Sequence, residues 1–161
     1  MLTIKEFCNK HKACEKGRDW ALANCESMFD AWGKLPPQWL IWVATRRGVL
    51  SDKELRMFAV HCARSVEHLL TDQRSKDAID VAERFVHGDA TKKELAAAWD
   101  AAWETAWEAA RAAALAAAWA AGADDRAAAR AAAWSAARVD GAVARGAQAD
   151  WLRANTRPSF Y

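Results

Sequence analysis

Residues 96–119 read AAAWDAAWETAWEAARAAALAAAW, alanine interrupted by a large side chain at every fourth position. Nothing from Lys92 to Ala121 breaks a helix, and alanine has the highest intrinsic helix propensity. The spacing predicts one long helix over 92–121, about 45 Å at 1.5 Å per residue. Trp99, Trp103 and Trp107 fall in successive turns, and the row continues through Arg111, Leu115 and Trp119. A four-residue step overshoots the helical turn by about 40°, so the row winds around the rod and its indoles meet different neighbours. Alanine alone buries too little apolar area to offset chain entropy, so large anchors at intervals are required for packing. The row therefore reads first as core and spacer, and only secondarily as surface.

Working outward, the punctuation fits an all-α chain. Thr3-x-x-Glu6, Ser51-x-x-Glu54 and Thr91-x-x-Glu94 are capping boxes, with a hydroxyl at the cap and Glu at the third helical position. Pro36 and Pro37 stand where a helix begins, since a first-turn residue needs no donor. Gly17, Gly33, Gly48, Gly88 and Gly122 are read as stops that use a left-handed residue. No Asn-Gly or Asp-Gly turn lies between alternating β-branched runs, and RVDGAV (138–143) comes nearest. The expected helices cover 3–10, 18–31, 37–47, 52–70, 74–87, 92–121, 124–140 and 142–154, with a kink or break at Gly141 or Gly146. Gly122 and the acids after it suggest that the long helix turns back into an Ala/Trp-rich hairpin. In that register Arg138 faces Glu108 and Arg145 faces Asp100.

The 161 residues suffice for one core, and the expectation is a single all-helical domain of about seven helices over 1–161. Residues 1–90 form its mixed-composition part, and the alanine-rich helices of 91–155 pack on them. After Lys93 every cation is arginine. Positive and negative side chains number 23 and 21, far from the basic footprint of a nucleic-acid binder. No apolar run is long enough to cross a bilayer, and MLTIKEFCNKHK lacks the apolar stretch of a secretion signal. Cys8, Cys14, Cys25 and Cys62 contain no CxxC pair, and the expectation is reduced thiols in a cytoplasmic protein.

Sites of chemistry are few. Cys8-x-x-His11-x-x-Cys14, with Cys25 beyond, could supply soft ligands to zinc, but the spacing is not a paired one and packing thiols is the simpler reading. His61 and His68 lie about 10 Å apart along one helix face, too far to share an ion. His61 and Cys62 point about 100° apart, so they make no nucleophile pair by themselves. His87 before Gly88 complements a helix C-terminus. Asp100, Glu104 and Glu108 form a carboxylate row without the ExxH element of helical metal sites. The chain has no phosphate loop and no HExxH. The reading is of a protein that is not an enzyme and needs neither metal nor cofactor.

HKACEKGRDWA (11–21) and PPQWLIWVATRRGVLSDKELRMFAVHCARSV (36–66) resemble the alanine-rich immunity-protein family of polymorphic-toxin loci in bacteria and phages. The likeness runs through His11 to Cys14 with Trp20, Pro37 to Trp42, Cys62 with Arg64, and Ala96 to Ala121. Members carry Pro-Asp-Trp where this chain has Pro37-Gln38-Trp39. The resemblance implies an all-helical, non-enzymatic protein that binds and neutralises another protein. Such inhibitors are similar in style to phage proteins that block bacterial defences, including anti-CRISPR proteins.

The expected partner is thus a protein, a toxin or a bacterial defence complex, blocked by occlusion. Two patches are candidates for contact: Trp99, Asp100, Trp103, Glu104, Trp107 and Glu108 on the alanine-rich helix, and Arg46, Arg47, Lys53 and Arg56 at a basic turn. Interfaces favour tryptophan and arginine, and the acidic patch suits a basic channel by charge complementarity. The alternative is a nucleic-acid-binding regulator, because ATRRGVLSDKELR (44–56) joins two helices through a basic turn of helix-turn-helix type. Against it, the following helix looks substantially buried. Pairing with a second copy is a further expectation for a surface rich in alanine and tryptophan.

Overall fold

The computed structural model describes residues 1–103 and 125–161, and these are helical with no strand among them. Among the described residues eight α-helices run in the order α1 (Ile4–His11), α2 (Glu15–Asn24), α3 (Met28–Lys34), α4 (Pro37–Ala44), α5 (Asp52–Ser65), α6 (Gln73–His87), α7 (Lys92–Trp103) and α8 (Asp125–Asn155). A 3-10 turn, Glu67–Leu69, follows α5. With that turn, the described residues hold more helical elements than the seven or so expected.

All three capping boxes form. Thr3 and Ser51 each accept from the backbone of the Glu three residues on, and that Glu accepts from the cap residue's N–H in return. Thr91 and Glu94 do the same at 3.2 and 2.7 Å. Two orphan N–H groups are satisfied at each start, which fixes where α1, α5 and α7 begin.

The glycine reading needs correction. Gly48 (φ 82) and Gly88 (φ 90) take the left-handed conformation, but Gly17 and Gly33 lie inside α2 and α3. The left-handed cap of α1 is Lys12 (φ 54). Nor is 18–31 one helix. The chain breaks at Cys25–Ser27, where Ser27 caps α3 by accepting from Asp30 N–H at 3.1 Å, and Asp30 accepts in turn from Glu26 N–H at 3.0 Å. Those local side-chain bonds substitute for helix continuation without any Gly or Pro.

α8 is broken where expected, at Gly141 (φ 58, ψ −122). Gln148 Nε2 donates to the Ala133 carbonyl at 3.1 Å. In a straight helix those residues are about 22 Å apart. The two arms, 125–140 and 142–155, therefore fold back on each other about the glycine. The φ/ψ pair at that reversal is one that a Cβ disfavours. The buried stripe Ala128, Ala129, Ala132, Ala133 and Ala136 faces inward along the first arm, and Gln148, Ala149 and Leu152 along the second. Side chains of that size let helix axes approach closely. The other expected hairpin, turning at Gly122 with Arg138 against Glu108, lies outside the described residues. Over what is described, α7 packs on α6, while α8 packs on α5 and α4.

The main core draws on α1 to α5, Ile79 of α6, α8 and the last residues of the chain. Phe160 is 1% exposed, with ring centroids 5.8 Å from Phe7, 5.1 Å from Phe29 and 6.2 Å from Trp32. Its backbone is held too, since Leu2 N–H donates to the Phe160 carbonyl at 2.7 Å and Ser159 N–H to the Val49 carbonyl at 2.8 Å. Arg153 donates to the carbonyls of Trp32 and Leu35 at 3.3 and 2.7 Å, satisfying acceptors at the C-terminal end of α3. A smaller cluster, Val60, Ala78, Ala82, Val86 and Leu95, joins α5, α6 and α7.

Candidate functional site

Two of the four cations of the expected basic turn are engaged within the fold. Arg46 lies over the Trp42 ring at 4.6 Å and donates to the Trp42 carbonyl at 3.0 Å. Arg56 makes a two-pronged pair with Asp125 at 3.3 and 3.2 Å, tying α5 to the start of α8. Arg47 and Lys53 are exposed. The helix after the turn buries Leu55, Phe58, Ala59, Val60, Cys62 and Ala63, so that side of α5 packs into the protein and cannot read base edges.

Of the alanine-rich patch, Trp99 is half-buried against the smaller cluster, and Asp100 is exposed. The side chain of Trp103 and residues Glu104, Trp107 and Glu108 lie outside the described residues. Arg145 makes no ion pair with Asp100 among the described residues, because α8 has α5 and α4 as its neighbours.

The cysteine and histidine groups are separated by their surroundings. Among the described residues no three His, Cys, Asp or Glu side chains converge on a possible metal position. His11 packs on Phe7 with centroids 4.5 Å apart. Burial, with Lys10 and Arg46 nearby, holds its pKa below the usual histidine value. His61 is stacked on Trp151 at 5.0 Å and 15°, and burial lowers its pKa as well. Cys62 is fully buried in the core, where desolvation pushes the thiol strongly upward and makes it a poor nucleophile. Arg64 is partly buried, but the hydrogen bonds it donates to Glu83, Asp80 and Glu67 outweigh the desolvation and raise its pKa. It binds α5 to α6.

What the fold leaves outside is a different face. Six of the seven described tryptophan side chains are buried or half-buried, and the exception is Trp134, 73% exposed on the first arm of α8. Exposing that indole forgoes roughly 3 kcal/mol of burial. Arg130, one turn earlier, is exposed beside it, and Val143, just past the Gly141 reversal, is 79% exposed. The inward alanine stripe and the Gln148 bond hold this arm in place, so the outer side chains project from a fixed rod. Sequence reasoning missed this site. The signal was present, since Arg126, Arg130 and Trp134 repeat the four-residue step seen in 99–119.

No family model, no curated protein and no solved structure matches this chain. Among the described residues no helix is long and apolar enough to cross a membrane.

Proposed function

We propose that the chain is a non-enzymatic protein that binds and blocks another protein, in the manner of a toxin-immunity protein or a phage anti-defence inhibitor, by covering the target with its α8 face. The observation that carries this reading is Trp134, a large apolar side chain exposed on a rod whose other face is locked into the core. Exposed tryptophan beside arginine is the composition of interface hot spots, where a few residues supply most of the binding energy. The engagement of half-buried Arg46 and Arg56 in intramolecular contacts weighs against the nucleic-acid reading. The target on this reading is a protein toxin or a bacterial defence complex.

The test is capture of a toxin or defence-complex protein by the purified chain, compared with Trp134→Ala and Arg130→Ala. Trp134→Ala should weaken binding by about 30-fold or more, the effect of losing a hot spot of 2 kcal/mol. Its stability should stay within about 0.5 kcal/mol, because an exposed side chain contributes little. Binding unchanged in both variants overturns the α8 face. Steeply salt-dependent binding to mixed DNA or RNA, with no protein captured, overturns the inhibitor reading. If the face instead pairs with a second copy, sedimentation shows a dimer that Trp134→Ala dissociates, which also counts against occlusion of a foreign target.

A further inference from the structure

Helices α1 to α4 enclose a cavity of about 380 Å³ that no packing requirement explains. Protein interiors leave few voids larger than a water, and small-molecule pockets begin near this size. Its walls are Phe7, Met28, Leu35, Trp39, Trp42 and Val43, with Cys8 set among them. Its rim is polar. Lys12, Cys14 and Gln38 are exposed there, and Gly17 sits beside Cys14. A Cβ on Gly17 would lie 3.3 Å from Cys14 Sγ and 3.6 Å from the Trp39 ring, so the missing side chain keeps this edge of the cavity open.

The rim carries a sign as well. Cys14 is the N-cap of α2, and its side chain makes no cap hydrogen bond to the first-turn N–H groups. The helix start and the Lys12 ammonium both favour negative charge at the mouth. Of the nearby acids, Asp19 is paired with Arg18 at 2.9 Å, and Glu15, in the first turn of α2, stays largely in solvent 3.9 Å from Arg18. At roughly 30 Å³ per heavy atom the space holds about a dozen atoms.

From this geometry we infer that the α1–α4 cavity binds a small amphipathic anion, an apolar chain or ring of about ten carbon atoms with a carboxylate-type head at the Lys12–Cys14 rim. The apolar body lies between Trp39, Trp42 and Met28, and the head stays at the solvent boundary, where its charge is not desolvated. This site is separate from the α8 face and stands or falls without it.

Decanoate is the probe, with decanol as its uncharged counterpart, each titrated into the full chain by calorimetry. Decanoate should bind with a dissociation constant of about 10–100 μM, and should slow alkylation of Cys14, read by peptide mass spectrometry. Lys12→Gly suits the left-handed backbone at that position and should weaken decanoate about threefold while leaving decanol unchanged. Gly17→Leu, at a helical position, should reduce binding of both by more than about tenfold. Three results overturn the inference: no decanoate binding to the folded chain, binding that leaves Cys14 alkylation unaltered, or binding undiminished in Gly17→Leu. Decanol binding as tightly as decanoate overturns the anionic head. Should Gly17→Leu fail to fold, Cys14 protection in the natural chain and the Lys12→Gly titration still decide.

Discussion

The main core and the smaller cluster under α6 and α7 use the same kinds of side chain, but they are closed in different ways. Around the main core the chain returns several times. α8 lies across α4 and α5, the arms of α8 clasp each other at Gly141, and the tail inserts Phe160 between α1 and α3. The smaller cluster has Val60 from α5, one face of α6, and Leu95 at the start of α7, with Trp99 and Phe85 packed at its edge. Arg84 adds a surface tie there, donating to Glu94 and to the Asp89 carbonyl at 3.1 and 3.2 Å. Long-range closure makes one region cooperative, while mostly sequential contacts leave the other able to open by itself.

The largest effect should come from the tail. Phe160→Ala removes a ring that touches three other aromatics, and we expect a loss of about 3–5 kcal/mol, seen as a lower denaturation midpoint. A loss below about 1 kcal/mol would mean that the tail rests on the core without closing it. Leu95→Ala comes next, at about 2–3 kcal/mol, because Leu95 is fully buried but in a smaller cluster. Hydrogen exchange should quicken in α6 and α7 and stay slow in α4 and the second arm of α8. Uniform acceleration would show that the two regions unfold as one.

Smaller changes test the ties between elements. Arg56→Gln should cost about 1 kcal/mol by removing the two-pronged pair with Asp125, whose side chain is only 13% exposed. A double-mutant cycle with Asp125→Asn measures that coupling. A coupling near zero would mean that this pair does not hold α8 to α5.

The smallest effect is expected from acid. Burial lowers the pKa of His61 below 6.5, so the folded state favours the neutral ring. Its contribution is complete above pH 6.5 and is lost as pH falls through the lower folded value. His61→Phe should keep the stack on Trp151 and flatten that part of the pH profile, with His11 supplying what remains. Below about pH 4.5 a second decline should follow. Backbone and hydroxyl hydrogen bonds from Thr3 and Thr91 lower the pKa of Glu6 and Glu94. Burial works against the charge of Glu54, but bonds from Ser51 and Arg157 outweigh it. These three carboxylates stabilise the fold above their ordinary value and lose that effect as they protonate. A stability profile flat from pH 7 to about pH 3 would contradict both assignments.

Much of this architecture could be read residue by residue. The three capping boxes, the proline start of α4 and the break at Gly141 all form as expected, because each depends on atoms within about four residues. The division between α2 and α3 was not legible. Ser27 and Asp30 make it with side-chain bonds that compete almost evenly with helix continuation. Of the two expected contact patches, Arg46 and Arg56 turned inward, since each found an acceptor or an aromatic face close by. Trp134 passed unnoticed because its own sequence surroundings are the same as those of tryptophans read as core.

The sequence by itself determined the helical class, most of the helix starts and the hinge at Gly141, since propensity, capping and backbone sterics act over a single turn. Which indole is covered and which is left in solvent, that Phe160 closes the core, and that α1 to α4 stand apart around a cavity were decided only in three dimensions. Burial depends on what stands opposite a side chain, and that neighbour is commonly more than a hundred residues away.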